Sequence, residues 1–340
     1  MNLPKKVAID ADIISFKAAS AIERRYIVVT HIPSGRQKEF DNRTEFYGHH
    51  SKKAGGWLAD TNKERLEQGK EPFRLEEFEI EDDREVEPVE HAYQICKSLI
   101  KGIMEACKAE EFVLVFDGED NFRKKVATIV EYKGNRKDDI RPLYLKEVKE
   151  YLYKYYPSES QYGVEGDDLL SILASSGEFI QSTIDKDAWQ TEGGIYDMDK
   201  ADEPYLIPQG VGKIWVDGEG KIRVMGFKSL CFQMLIGDKT DNILPRKLCK
   251  ARYGEKTAKK DLDPLTTKKD CLEFVLKMHK KWYPSPVTYN HWDTEEEIVA
   301  DYFDIASEMF LLLYMHRDYN DPTTLESMCK DLGVEYDRDV

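Results

Sequence analysis

Three short apolar runs, Lys6–Ile9, Phe112–Phe116 and Phe179–Ile184, are each followed by turn or helix signals, as buried parallel strands should be. Between the first two, Ala92, Ile95, Leu99, Ile103 and Ala106 recur at helical spacing within Val89–Lys108. Pro142 opens a second amphipathic helix, with Leu145, Val148 and Leu152 on one face. A hairpin is expected over Arg25–Phe40, turning at Pro33-Ser34-Gly35, and another over Lys213–Met225 around Asp-Gly-Glu-Gly. Residues 41–88 are polar, contain Gly55-Gly56 and end in an acidic run, so they read as an insertion over the surface. From Gly226 onward the pattern reads as helical to the end, with Glu295–His316 its longest stretch. The expected fold class is α/β, a parallel sheet flanked by helices over residues 1–225, followed by a helical region over 226–340.

The longest apolar run, Phe310–Met315, is too short to cross a bilayer, and the start of the chain has no apolar signal core. No membrane partner and no export are expected. Six cysteines lie far apart with no Cys-x-x-Cys pair, which fits reduced thiols in a cytoplasmic protein rather than a disulfide framework or a zinc knuckle.

Charge adds a complication. Fifty Lys and Arg stand against 65 Asp and Glu, a net charge of −15 that argues against a nucleic-acid partner. The distribution is uneven, however. Residues 121–154 hold ten basic against five acidic residues, and residues 239–260 hold eight against two, whereas 76–90 hold nine acids and one Arg. Two basic islands on an acidic body can bind phosphates locally, although solvated helix faces look the same in sequence.

The acids point further. Three strands run into an aspartate, at Asp10, Asp117 and Asp185, and ligands of parallel sheets bind at the carboxyl ends of the strands. Glu165, Asp167 and Asp168 cluster before an apolar helix, Asp187 follows Asp185 by two, and Asp238 and Asp241 share a loop. Helix capping can absorb Asp167 or Asp168, and one of Asp238 and Asp241, but not the whole set. Crowded carboxylates repel one another, and divalent cations remove that penalty. Oxygen donors without His or Cys suit Mg²⁺ or Mn²⁺ rather than zinc. Two such ions about 4 Å apart form the clamp used in phosphodiester hydrolysis.

Seven segments in order, IDADIISF (9–16), VFDGEDNFR (115–123), EYKGNR (131–136), VEGDDLLS (164–171), STIDKDAW (182–189), GDKTDNILP (237–245) and YGEKTAKK (253–260), carry a family likeness. The chain resembles the phage and bacterial 5′-nucleases, the PIN-like 5′→3′ exonucleases and flap endonucleases, and within them the phage exonuclease branch. The resemblance implies a PIN-like domain over 1–225 with 41–88 inserted, and a DNA-binding hairpin near 237–262 in the helical region. It implies a cytoplasmic, monomeric 5′→3′ deoxyribonuclease with flap endonuclease or RNase H-like activity, acting on duplex 5′ ends, flaps or RNA primers with two Mg²⁺ or Mn²⁺ ions.

Residue by residue, Asp10, Asp117, Glu165 and Asp167 match the family's first metal group, with Asp168 a near neighbour. Asp185, Asp187, Asp238 and Asp241 match the second, while Asp12 falls where many relatives hold a non-acidic residue. Lys133 and Arg136 match basic residues that approach the scissile phosphate from a mobile segment, and Arg123 a phosphate contact. Tyr132 is expected to stack on a terminal base. Gly254, with Lys256, Lys259 and Lys260 behind it, resembles the family's helix-hairpin-helix grip on duplex phosphates, which often holds a potassium ion. Pro245-Arg246-Lys247 and Ala251-Arg252-Tyr253 replace the Gly-rich first half of that hairpin. Two rival readings stay open, a PIN-type ribonuclease acting on RNA alone and a non-catalytic binder of branched DNA.

Overall fold

A computed structural model describes residues 3–49, 54–137 and 140–338. The chain divides into a larger unit, Met1–Ser15, Lys97–Ile140 and Lys149–Val340, and a smaller one, Phe16–Cys96 and Arg141–Val148.

The larger unit is built on six strands, β1 (Lys6–Asp10), β2 (Glu111–Val115), β3 (Ser158–Glu159), β4 (Phe179–Ser182), β5 (Gly193–Tyr196) and β6 (Tyr205–Ile207), in the order β6-β5-β4-β1-β2-β3. All neighbours run parallel except β6, which turns back along β5. β1 lies in the middle with Val7, Ala8 and Ile9 fully buried, which explains its unbroken apolar sequence. Ile9 pairs with Leu114 on one side and Ser182 on the other, so the expected strands line up with their carboxyl ends together. The longer helices with all or part of their length in this unit are, in chain order, α1 (Ala11–Ala21), α2 (Val89–Cys107), α3 (Leu145–Tyr155), α4 (Gly166–Ser175), α5 (Phe227–Ile236), α6 (Glu255–Leu262), α7 (Lys268–Trp282), α8 (Tyr302–Leu313) and α9 (Leu325–Leu332). α4 closes one face of the sheet by packing Leu169, Leu170 and Leu173 with Ala8 and Val115. This is the mixed α/β class, a parallel-dominated sheet flanked by helices, that the sequence suggests.

Beyond residue 225 the region is not helical throughout. Val287–Asn290 and Glu297–Ala300 form an antiparallel hairpin, and α8 starts only at Tyr302 under an Asp301 cap. The longest helix of this region is therefore not Glu295–His316 but α7. Val287, Tyr289, Ile298 and Ala300 of that hairpin join the core made by α5 to α9, which includes the almost wholly buried α5.

In the smaller unit, Glu23–His31 pairs with Arg36–Phe40 and Phe78–Val86 into a three-stranded antiparallel sheet. The expected hairpin is there, and much of the polar 41–88 segment folds onto it. Phe46, Trp57, Phe78 and Ile80 pack with Ile27, Val29 and Phe40, so the acidic run becomes the solvent side of a strand. Residues 50–53 of the segment lie outside the described residues. All six cysteines are free, and five are buried. No helix of the described residues is long and apolar enough to cross a membrane.

Candidate functional site

The sheet's carboxyl edge gathers the acids, all of them within the larger unit. Asp10 ends β1 and is only 8% exposed; it accepts the Ile13 N–H (3.1 Å) at the start of α1 and the Thr183 hydroxyl (2.8 Å). Burial, reinforced by the charges of Asp12 and Asp117, raises its pKa to about 7. Asp117 follows β2 and accepts the Gly166 N–H at 2.9 Å. The chain passes so close at Gly118 that a Cβ would sit 1.7 Å from the Gln161 carbonyl oxygen, so only glycine fits there.

α4 supplies the next acids from its first turn. Glu165 caps it and receives the Tyr132 hydroxyl (2.8 Å) and Lys133 Nζ (2.5 Å). Asp167 is half-buried and accepts no hydrogen bond among the described residues. Its pKa is pushed well above the ordinary value by burial, then by the charges of Asp185, Asp10, Glu165 and Asp117. Those neighbours show that the strand-end and helix-start acids share one space.

The second group centres on Asp187, Asp238 and Asp241, whose carboxylate oxygens lie within 4.8 Å of one another. Asp185 caps a short turn by accepting the Asp187 N–H at 2.8 Å. Asp187 accepts Gln233 Nε2 at 2.5 Å, and burial followed by the charge of Asp185 raises its pKa to about 8. Asp238 takes Lys186 Nζ at 2.7 Å, and Lys186 holds it below the usual carboxylate range although burial opposes this. Asp241 is bound by Arg136 and by the Tyr132 hydroxyl at 3.1 Å. Burial nevertheless keeps its pKa raised against the opposing charges of Lys133 and Arg136.

Lys133 and Arg136 thus lie against the acids, on a segment that is docked rather than free. Lys133 N–H bonds the Asp241 carbonyl (2.9 Å), Asn135 Nδ2 that of Lys239 (2.8 Å) and Arg136 Nε that of Thr240 (3.0 Å). From the other side, Asn242 Nδ2 donates to the Glu131 carbonyl (2.9 Å). Residues 131–136 are in this way hydrogen-bonded to the 239–242 loop; 138 and 139 lie outside the described residues.

Three site assignments need correction. Arg123 is fully buried and cannot reach a phosphate; it pairs with Asp168 through both ends of its guanidinium and donates to the Leu312 and Tyr314 carbonyls, each at 2.9 Å. Asp168, itself without exposure, is consumed by that pair and by the His316 N–H (3.2 Å), which removes it from the ligand set. One residue of helix turns a side chain by about 100°, so Asp167 faces the cleft while Asp168 faces the core. Tyr132 is 5% exposed, with its hydroxyl between Glu165 and Asp241, so it braces carboxylates instead of offering a face to a base.

Gly254 caps α6, but in an extended conformation (φ −124°) with open space where a Cβ would go, so no tight turn demands glycine there. Behind it Lys256 and Lys260 are exposed, while Lys259 is engaged by Asp263 at 2.7 Å. Lys186 and Gln233, which touch the second group directly, had no place in the sequence reading. Lys186 could have been flagged by standing between two aspartates; nothing around Gln233 marks it.

No family model and no curated protein matches the chain. Among solved structures it is similar to the bacteriophage T5 D15 protein co-crystallized with metal ions, at 16% identity over 70% of this chain and 85% of that one, with a TM-score of 0.40. It is also similar to the T5 D15 flap endonuclease in a pseudo-enzyme-product complex with DNA and metal ions (16% identity, 72% and 90% covered, TM-score 0.41). A third similar structure is T5 5′-exonuclease with zinc ions bound (16%, 72% and 90%, 0.40). Identities and TM-scores this low assign neither a family nor an activity.

Proposed function

We propose that this protein is a divalent-metal-dependent nuclease that hydrolyses phosphodiester bonds near the 5′ ends of duplex or branched DNA. The observation that carries the reading is the gathering of Asp10, Glu165, Asp167 and Asp185 on one sheet edge, with Asp167 half-buried and lacking a hydrogen-bond donor among the described residues. A purely structural acid would be capped or ion-paired, as Asp168 is.

The donor set fits a hard cation. It is all carboxylate oxygen, and burial, followed by the charges of neighbouring acids, pushes Asp10, Asp167 and Asp187 toward the protonated state. Asp10, Asp117, Glu165 and Asp167 would hold one Mg²⁺ or Mn²⁺, and Asp185, Asp187, Asp238 and Asp241 a second. When bound, such ions supply an activated water and stabilise the leaving oxygen.

The chain's own residues do the rest. Tyr132 fixes Glu165 and Asp241 with one hydroxyl and so ties the two groups together. Gln233 orients Asp187, as a partner behind a ligand should. Lys133 and Arg136 can turn from their carboxylates to the phosphoryl oxygens once cations relieve them, offsetting charge that develops in the transition state. Lys256 and Lys260, exposed on α6, suit contacts to duplex phosphates that carry no sequence preference. The choice of DNA and of the 5′ end rests on the family resemblance of the seven segments, as does a monomeric, cytoplasmic protein.

The test is a 5′-flap, a nicked duplex and an RNA–DNA hybrid, labelled at the 5′ end, with Mg²⁺ or with excess chelator. Short 5′ products that require the metal are expected from the DNA substrates. Cleavage that survives the chelator, or release of 3′ nucleotides first, would contradict the metal dependence or the polarity respectively.

A further inference from the structure

A cavity of about 700 Å³ opens in the larger unit at the edge of the sheet opposite the acids. Pro4, just before β1, Gly177, just before β4, and Gly193 and Gly194 at the start of β5 all line it, which places it at the amino ends of the parallel strands. Its size is that of a small-molecule site.

In a chain of net charge −15, this cavity is lined by two cations, Arg317 and Lys268, and one anion, Glu192. Glu192 is already engaged by Lys268 Nζ (3.2 Å) and the Gly210 N–H (3.1 Å). Arg317 has no carboxylate within ion-pair distance among the described residues. Its guanidinium meets neutral acceptors only: the hydroxyls of Ser171 (2.8 Å) and Thr191, and the Gln190 carbonyl (3.0 Å). The Tyr314 ring stands 5.6 Å away. Five N–H donors in a fixed fork exceed those three partners, and the charge cannot be discharged by losing a proton.

Gln190 lies at the same cavity. It is 1% exposed, and its Nε2 is used by Gln233 (2.7 Å) and the Leu313 carbonyl (2.9 Å). Its Oε1 has no partner. Buried polar atoms are normally satisfied, and an amide oxygen calls for a donor. This atom therefore marks a place for a protonated group of a ligand and not for an oxyanion, which would rest on Arg317. The remaining wall is largely apolar, with Ile207, Phe227 and Leu230.

We propose that this cavity binds a small oxyanion with an apolar body, the oxyanion seated on Arg317 and the body against Phe227 and Leu230. A carboxylate and a phosphate monoester share that chemistry.

Titration of the full chain with benzoate, phenyl phosphate and, as the neutral control, benzyl alcohol, followed by calorimetry, distinguishes them. At least one anion should bind saturably at about 1 mM or tighter, and the tighter of the two identifies the oxyanion. Arg317→Met should weaken that binding by about tenfold or more, and Arg317→Lys should restore part of it. Lys268→Met, at a partly exposed helix start, should weaken it severalfold and serves as the test if Arg317→Met does not fold. Benzyl alcohol binding as tightly as the anions, absence of saturable binding by either anion, or binding unchanged in the folded variants would each overturn the proposal.

Discussion

At the strand ends, Asp10 and Asp167 face mostly other carboxylates and form no ion pair among the described residues. The cations close by are spent elsewhere, Lys133 and Arg123 on Glu165 and Lys149 on Asp12. In the 237–242 loop, Asp238 and Asp241 each hold a side-chain cation, Lys186 and Arg136. Asp10 and Asp167 are thus left without a cation, whereas Asp238 and Asp241 are filled by the protein itself. Both are made of aspartates on one sheet edge, so composition does not separate them; what separates them is which elements bring a basic side chain alongside. A divalent ion at the first group would meet competing cations only at Glu165, where Lys133 and Arg123 sit, and would relieve the repulsion between the other acids. At the second it would have to displace ammonium and guanidinium groups, which would then be free to turn toward a phosphate.

The largest expected effect comes from splitting two sequence neighbours. Asp167→Asn should lower cleavage by at least about 100-fold while leaving the folded protein as stable as before or more so, since it removes a repelled charge. Asp168→Asn should instead leave the buried Arg123 without its two-pronged carboxylate partner, with only Glu165 at 3.4 Å to balance its charge, and cost about 3–5 kcal/mol of stability in a denaturant titration. Similar stability losses in both variants would erase the distinction drawn between them.

Next in size is Lys133→Ala. If Lys133 stabilises the transition state more than the bound substrate, turnover should fall by roughly 100-fold with DNA affinity changed only a few-fold. Loss of affinity with turnover intact would make it a tether.

The acids also set a pH dependence for the protein free of divalent ions. Asp10 and Asp187 titrate near 7 and 8 in the folded chain but near 4 when unfolded, so between those limits the folded state binds more protons. Their contribution is present in full below about pH 4 and is lost as pH rises toward 8. A melting temperature that falls by roughly 5 °C or more from pH 5 to pH 8.5, and recovers when Mg²⁺ is added, is expected. A flat profile would mean that these carboxylates are compensated after all.

The smallest effect tests the filled group. Lys186→Met removes the ammonium on Asp238 and should lower the Mg²⁺ concentration for half-maximal cleavage by about three- to tenfold. A higher requirement would show Lys186 to be an organiser of the site rather than a competitor.

Much of this was legible in sequence. A central parallel strand is buried on both faces and so writes itself as an apolar run, which is why β1, β2 and β4 and the acids at their ends could be read directly. The hairpin at 287–300 was missed because its strands are four residues each and its turn carries Glu295 and Glu296, which look like the acidic start of a helix; the β-branched and aromatic content of Val287–Asn290 was the signal overlooked. Arg123, Tyr132 and Asp168 were assigned by their place in motifs, but a motif fixes order along the chain and not which side of a helix faces the cleft. The partners that decide the matter, Leu312 and Tyr314 for Arg123, lie almost 190 residues away.

Most direct for the central claim is a titration of Mn²⁺ into the wild-type chain and Asp167→Asn at pH 8, with free Mn²⁺ followed by electron paramagnetic resonance. The wild type should take up two ions per chain, and Asp167→Asn should lose the tighter of them while keeping its fold by circular dichroism. Uptake of no Mn²⁺ by the wild type, or the same two ions in the variant, would contradict the assignment of the strand-end acids as a metal site.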